Sequence, residues 1–327
     1  MRDETLDWLL EESDPSVRYL ALTTLAAKPG NEAEAAEARC MIMRIGPAAD
    51  IIKMQNADGS FGTADRFYLD KYGGTVWTLL ILAELAADPA DPRVARACEF
   101  ILQHSQDPDS GGFSYRSSAK TGTGLSSGVV PCLTGNMVYA LIRLGYLDDE
   151  RTRRAIDWIT AWQRADDGID EAPKGKVYDR YEMCWGKHTC HMGAAKAFKA
   201  LAAIPPDKRS SETAAKIDEL AEYFLKHHLF KKSHSLNEIA RPGWLKPGFP
   251  LMYQTDIVEL LGIFASLKIH DARLSDAISV LRSKMDPDGR WKLENSNNGK
   301  MLVNIEKKGK PSKWITLNAL QILREYG

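Results

Sequence analysis

The stretch that decides the fold reads QNADGSF at residues 55–61, where a predicted helix gives way to a long loop. Related stretches are QDPDSGGF at 106–113, QRADDG at 163–168 and MDPDGRW at 285–291. An Asp shortly before a Gly favours a turn with positive φ at the Gly, and a following aromatic residue can fill the gap between neighbouring hairpins. A recurrence of about 50 to 60 residues predicts a repeat architecture in which these stretches are structural turns.

Apolar residues recur at helical spacing along nearly the whole chain, whereas the alternation that is typical of strands is hard to find. We therefore predict an all-α protein of six helical pairs. Second helices are the more apolar and suit an inner ring, while first helices keep a charged face and suit an outer ring. The predicted helices span 3–12, 16–27, 35–55, 73–88, 92–105, 134–146, 150–164, 187–204, 211–228, 252–268, 272–285 and 312–325.

Short and long connections alternate along the chain. In an antiparallel ring of helices this alternation places every long loop on one face, which we call the mouth, and loops of this length are usually functional. The long loops are 57–72, 106–130, 165–186, 229–251 and 286–311.

The composition is that of an ordinary globular protein. The 327 residues contain no Pro/Gly/Ser-rich linker, so we predict one domain over 1–327. A net charge of -1 gives no global field for nucleic acid or an anionic membrane. Five scattered cysteines predict reduced thiols, and the absence of a signal-peptide core or a long apolar run predicts a cytoplasmic protein without a transmembrane segment.

The repeated turns resemble the glutamine–tryptophan repeats of the terpenoid cyclase and protein prenyltransferase superfamily. The chain also looks like a bacterial group described as prenyltransferase-like or squalene-cyclase-like. The resemblance implies an (α/α)6 toroid of six hairpins and a small apolar or isoprenoid-like ligand. Prenyltransferase β-subunits need a helical partner, so it also implies a candidate protein partner. The Asp-x-Asp-Asp acid of squalene-type cyclases is absent, and the same toroid serves both catalytic and non-catalytic proteins.

The densest group of reactive side chains lies at residues 179–193. Cys184, His188 and His191 have i, i+4, i+7 spacing and fall on one stripe if a single helix carries them, which predicts zinc as a candidate cofactor. His188-Thr189-Cys190 is similar to the stretch that carries the zinc histidine of prenyltransferase β-subunits, although their Asp-x-Cys pair is absent here. The alternative is that the cysteines pack as small apolar groups and the histidines line the cavity without a metal.

Asp256 stands at the start of the fifth inner helix and could act as an oxygen ligand or a general acid, beside His188 and His191 as further catalytic candidates. The alternative for Asp256 is a solvated first-turn residue that the helix dipole favours. Several aromatic residues stand at the predicted starts of inner helices, which predicts an aromatic surface at the mouth that suits an apolar or cationic ligand. The alternative is that these aromatic side chains only pack the interior of the ring. The candidate mouth residues are Tyr72, Trp77, Cys132, Asn136, Trp185, Tyr253, Lys313 and Trp314.

Three further groups are candidates of lower rank. Residues 166–170 (DDGID) match the spacing of the diphosphate-binding DDxxD motif, but they coincide with a repeated turn and we favour the structural interpretation. Basic residues at 307–310 could meet a diphosphate or form a solvated loop. His227, His228 and His234 give no single metal geometry.

The leading hypothesis is a toroid enzyme that acts on an isoprenoid-like or other largely apolar substrate. A second hypothesis is a non-catalytic binding module for a peptide, lipid or glycan. A third is a polysaccharide lyase or hydrolase, since such enzymes also use α/α toroids with aromatic sugar platforms.

Overall fold

The computed structural model describes residues 3–167, 174–175, 182–186 and 188–327. Within those ranges the chain forms fourteen α-helices. They are α1 (Asp3–Leu9), α2 (Pro15–Thr23), α3 (Glu32–Ile42), α4 (Pro47–Ile52), α5 (Thr75–Glu84), α6 (Pro92–His104), α7 (Pro131–Arg143), α8 (Glu150–Trp162), α9 (Glu182–Trp185), α10 (His191–Ala202), α11 (Ser211–Lys226), α12 (Ile257–Ser266), α13 (Ser275–Ser283) and α14 (Lys313–Tyr326).

Two short antiparallel strand pairs lie in the long loops, and the sequence analysis did not predict them. They pair β1 (Lys231–Lys232) with β2 (Ser235–Ile239) and β3 (Trp291–Lys292) with β4 (Pro311–Ser312). Helices nevertheless dominate, so the all-α prediction is confirmed. No helix in the described part of the chain is both long and apolar enough to cross a membrane.

One predicted helix, 35–55, is two helices in the structure. Gly46 has a φ of +81°, and Pro47 opens α4 at its first position. A positive φ ends regular helix, and Pro fits the first turn because no intrahelical bond is needed there. The predicted range therefore covers two helical segments, but the break between Ile42 and Pro47 was not predicted.

The helices alternate between an apolar and an amphipathic type, as predicted. In α5 every residue from 75 to 83 is buried, whereas α11 buries one face and exposes the other. Contacts between the apolar helices run from α5 to α7, α10, α12, α14 and then α2. All of these helices except α14, the last in the chain, also contact the helix that follows them in sequence, as α5 contacts α6 and α7 contacts α8. The apolar helices therefore form an inner arc with amphipathic helices outside it.

The closest approach in this arc is between α7 and α10. A Cβ atom on Gly135 would lie 2.5 Å from the carbonyl carbon of Lys196, a distance that real Cβ atoms do not reach. Glycine at this position lets the two backbones touch, so the packing of α7 on α10 depends on it.

The repeated turns make the same contacts at successive positions. Gln55 Nε2 donates to the carbonyls of Gly59 (3.1 Å) and Arg93 (2.8 Å), which lie in the turn and at the start of the next outer helix. Gln106 Nε2 does the same with Gly111 (2.8 Å) and Arg151 (2.7 Å). In these two turns the Gln amide joins the turn to the following outer helix, whereas Gln163 Nε2 donates to the Arg164 carbonyl and the turn at 285–291 begins with Met285.

In three of the repeated turns, the backbone of the aromatic residue makes the same hydrogen bond to the next inner helix. The backbone N–H groups of Phe61, Phe113 and Trp291 donate to a Thr hydroxyl on the next inner helix, at 2.9 to 3.0 Å. All three aromatic side chains are fully buried. These contacts are those of a structural unit, which agrees with the interpretation of the turns as structural.

Candidate functional site

Four aromatic side chains meet where α5 and α12 begin. We call Tyr68, Tyr72, Trp77 and Tyr253 the aromatic cluster. Ring centroids are 5.0 Å apart for Tyr68 and Trp77, 5.2 Å for Tyr72 and Trp77, and 6.1 Å for Trp77 and Tyr253. These separations are typical of favourable aromatic pairs. The structure therefore brings together Tyr72, Trp77 and Tyr253, which the sequence predicted at the mouth.

Hydrogen bonds hold the cluster in place. Trp77 Nε1 donates to the Tyr68 carbonyl at 2.8 Å, and the Tyr72 backbone N–H donates to the Lys300 carbonyl at 2.9 Å. Trp77 and Tyr72 are buried, while Tyr68 and Tyr253 are half-buried. Tyr68 and Tyr253 consequently present the part of the cluster that a ligand can reach.

The ammonium group of Lys71 lies against the same rings. Its Nζ atom is 4.8 Å from the ring centroid of Tyr253, 5.1 Å from that of Tyr68 and 5.7 Å from that of Trp77. These are cation–π distances. The neighbouring carboxylate, Asp70, pairs instead with Arg66. Lys71 and Tyr68 were not predicted, because both lie further from the predicted start of the inner helix than Tyr72 does.

Thiol groups lie beside the aromatic cluster. Burial raises the pKa of Cys132 to about 12, with a smaller contribution from Cys190, and it raises the pKa of Cys184 to about 12, with contributions from Cys132 and Cys190. Burial also raises the pKa of Tyr68, and Cys132 adds to that effect. Cys132 and Cys184 are thus neutral thiols at neutral pH. The two thiols therefore form a polarizable, largely apolar surface, and neither is activated as a nucleophile.

The zinc candidates do not share one helix. Helix α9 ends at Trp185 and α10 begins at His191, so Cys184, His188 and His191 do not form the stripe that a continuous helix would give. The His188 side chain is 57% exposed. Among the described residues, no group of three or more His, Cys, Asp or Glu side chains is arranged to hold a metal ion. Zinc therefore stays a prediction.

His191 is enclosed by other side chains. Its ring stacks on Trp244 with the centroids 3.9 Å apart, and its Nδ1 lies 3.4 Å from the Tyr223 hydroxyl. Burial lowers the pKa of His191 well below its ordinary value, and the nearby His227 and Arg241 lower it further. His191 is therefore a neutral imidazole.

A second polar group lies beside His191. Asp167 Oδ2 is 3.4 Å from His227 Nε2, and Asp167 Oδ1 is 3.8 Å from His188 Nδ1. We call Asp167, His188, His191 and His227 the acid–histidine group. His227 Nδ1 lies 2.8 Å from the Lys231 carbonyl and must be its donor, so His227 Nε2 faces the carboxylate. Residues 168–170, the remainder of the DDxxD-like motif, lie outside the described residues.

This convergence was not predicted, because Asp167 follows α8 and His227 follows α11, 60 residues further along the chain. Cys190 directly precedes His191 at the start of α10, and it contributes to the raised pKa values of both Tyr223 and Cys132. The two polar regions are therefore neighbours at the start of α10.

Asp256 is the N-cap of α12 and is buried, not solvated. Its Oδ1 accepts the backbone N–H groups of Val258 and Glu259, both at 2.9 Å, and its Oδ2 accepts that of Gly248 at 2.8 Å. Burial raises the pKa of Asp256 to about 7, although these hydrogen bonds oppose the shift. Both oxygens have partners, so Asp256 has a structural role as the cap that joins the 229–251 loop to α12.

Two other predicted mouth residues fill interior positions away from the aromatic cluster. Asn136 Nδ2 donates to the Met252 carbonyl at 3.0 Å. Trp185 is buried and lies 6.0 Å from Trp158, centroid to centroid. Asn136 thus connects α7 with the segment that carries Tyr253, which makes it a positioning residue for the cluster.

The last two predicted mouth residues lie at the start of α14. Trp314 stacks on Phe249 with the centroids 4.1 Å apart, and Lys313 Nζ donates to Glu11 at 2.8 Å. Lys313 is therefore paired within the chain. The basic residues at 307–310 are exposed, as expected for a solvated loop.

A cavity of about 580 Å³ lies elsewhere in the fold, between α1, the end of α2, the turn at 285–289 and the second half of α14. Leu25, Leu320 and Leu323 give it an apolar wall. None of the predicted site residues lines it. Its size is within the range of small-molecule sites, so it is a rival place for an apolar ligand.

No protein-family model matches this chain, and no curated protein matches it. Several solved structures do. The apo type II terpene cyclase MstE from Scytonema is 16% identical, with 95% of this chain and 87% of that chain covered and a TM-score of 0.45. A variant of MstE in complex with the product merosterolic acid A is 13% identical over 99% of each chain, with a TM-score of 0.44. A protein from Actinoplanes is 15% identical over 97% of this chain and 89% of that chain, also with a TM-score of 0.44.

Proposed function

We propose that this chain is an (α/α)6 toroid whose mouth binds a largely apolar, isoprenoid-like ligand. The observation that carries the proposal is the convergence of Tyr68, Tyr72, Trp77 and Tyr253, with neutral thiols beside them. The closed ring is supported by the inner arc and by the alternation of apolar and amphipathic helices.

The chemistry of this surface favours an apolar ligand over a charged anionic one. The aromatic rings and the protonated Cys132 and Cys184 thiols carry no positive charge to pair with an anion, the ring faces are electronegative, and both kinds of group bury apolar area well. A ligand that covers about 100 Å² of apolar surface there would gain roughly 2.5 kcal/mol before the cost of association. The half-buried rings of Tyr68 and Tyr253 are where that contact would begin.

Ligand titration of the full chain tests the proposal. We expect geranylgeraniol, followed by intrinsic tryptophan fluorescence, to bind the wild type saturably. Tyr253→Ala should weaken binding by about tenfold, because a contact of about 1.4 kcal/mol is lost. The matched control is Tyr326→Ala, another half-buried tyrosine, in the last turn of α14. Absence of saturable binding, or equal effects of both variants, would contradict the proposal.

Conversion of the ligand is the second candidate function, and the acid–histidine group is the observation that favours it. Asp167 has an imidazole on each side, within 3.8 Å, and His191 is neutral and close to His227. An imidazole beside a carboxylate is a group that can accept and return a proton. Turnover of the bound isoprenoid that is lost in Asp167→Asn, with binding retained, would establish this function. Retained turnover in that variant would exclude the group as its proton carrier.

The peptide, glycan and polysaccharide hypotheses stay open as predictions. A ligand of those classes would displace geranylgeraniol from the same cluster in a competition titration.

A further inference from the structure

We propose that the aromatic cluster is a cation site for the alkylammonium head of a ligand, and that Lys71 is a built-in occupant which this head displaces. The inference deepens the proposed function and rests on it, since it assigns a head-group class to the apolar ligand at the same site.

The first observation is that three rings surround one ammonium group. Lys71 Nζ lies between 4.8 and 5.7 Å from the centroids of Tyr68, Trp77 and Tyr253. Three aromatic faces around a cationic nitrogen are the arrangement with which proteins recognise alkylammonium groups. The surface has therefore already assembled around a positive charge.

The second observation is that the tyrosine and cysteine side chains of this site are uncharged at neutral pH. Burial raises the pKa values of Tyr68, Cys132 and Cys184, and that of Tyr253 is raised by its hydrogen bond with Tyr72 and by burial. No carboxylate in the described part of the chain forms an ion pair with Lys71. Attraction to the rings therefore governs the site, and a weakly hydrated cation gains most from such attraction because it loses little water on entry.

The third observation is that Lys71 can leave while the cluster stays in place. Residue 71 is exposed, whereas the neighbouring backbone is fixed by bonds from Tyr72 N–H to the Lys300 carbonyl and from Gly73 and Gly74 N–H to the Asp70 carbonyl. The Lys71 side chain can thus swing into solvent without a change in the backbone. A trimethylammonium group would replace a strongly hydrated primary ammonium, which favours the exchange.

Three ligands with one tail and different heads test the inference: decyltrimethylammonium, decanol and decyl phosphate, each titrated below its micelle concentration. The wild type should bind decyltrimethylammonium more tightly than decanol. Lys71→Met removes the internal competitor and should raise affinity for decyltrimethylammonium about fivefold, while affinity for decanol changes by less than about twofold. Lys71→Arg keeps the positive charge at the rings and should stay close to wild type.

The outcomes separate the two proposals. Binding of decanol without any preference for decyltrimethylammonium overturns the cation site and leaves the proposed function standing. Binding of decyltrimethylammonium without decanol overturns the apolar ligand and leaves the cation site standing. Equal gains for both ligands in Lys71→Met would make Lys71 a steric plug, and loss of decyl phosphate binding in that variant would make it an anchor for anions. Either of those results overturns the inference.

Discussion

Lys196 Nζ on α10 lies 2.7 Å from Glu259 Oε2 on α12, and both side chains are almost completely buried. Lys199 also reaches Glu259, at 3.0 Å, and it pairs with Glu84 on α5. Burial raises the pKa of Glu259, but the two ammonium groups outweigh it and lower the pKa to about 2. These charges join α10 both to its neighbour α12 and to α5, which is not its neighbour along the inner arc, so they stabilise the interior of the fold.

Removal of one partner should therefore be costly. We expect Lys196→Met to lower the free energy of unfolding by about 3 kcal/mol, because Glu259 would keep only Lys199 as its buried partner. Urea denaturation measures the loss. The matched control is Lys208→Met, whose partner Asp148 is exposed, and it should cost less than about 1 kcal/mol. Similar losses for both variants would mean that the buried pair adds no special stability.

The repeated turn predicts a second effect on stability. In Gln106→Ala the carbonyls of Gly111 and Arg151 would lose the buried Gln106 amide as a donor, which should cost about 2 kcal/mol. Gln321→Ala loses one exposed bond to Thr24 and should cost less than about 0.5 kcal/mol. The free energies of unfolding of both variants, measured by chemical denaturation, show whether the turn contributes to stability. The structural interpretation fails if Gln106→Ala is as stable as the wild type.

Asp256 predicts a pH dependence. Its pKa is about 7 in the folded chain and 3.8 in its ordinary state, so the folded protein binds a proton that the unfolded chain releases. The resulting stability is complete below about pH 3.8 and is lost as the pH rises through about 7. The free energy of unfolding should thus fall between pH 4 and pH 7, and this slope should be absent in Asp256→Asn. Identical slopes in the two proteins would show that Asp256 is ionised throughout the range.

The helix pairs were predictable from sequence because outer helices such as α11 bury one face, which gives their apolar residues the helical period, and inner helices such as α5 are apolar over most of their length. Tyr72, Trp77 and Tyr253 were predictable for a related reason, since each stands near the start of an inner helix. Lys71 and Tyr68 were not, because they lie further into the loop, where no helical period indicates which way a side chain points. The approach of Asp167 to His227 depends on how the residues after α8 lie against the end of α11, and local sequence contains no signal for it.

The zinc prediction has a direct test. If Cys184, His188 and His191 hold zinc, protein purified without a metal-affinity tag should contain about one zinc per chain, as a structural or catalytic site would. Elemental analysis should then show its loss in Cys184→Ser/His188→Ala. Cys40→Ser, a change at an exposed cysteine, should keep the metal. Equal metal contents in all three proteins would remove these residues as ligands.

Photoaffinity labelling tests the central claim most directly, because it reports where an isoprenoid lies on the unaltered chain. A diazirine analogue of geranylgeraniol is activated on the full protein, with and without excess geranylgeraniol, and the labelled peptides are identified by mass spectrometry. The account predicts competable labels on residues 67–77 and 251–257, around Tyr68 and Tyr253. Competable labels on residues 285–289 and 320–324 would place the ligand in the 580 Å³ cavity and contradict it.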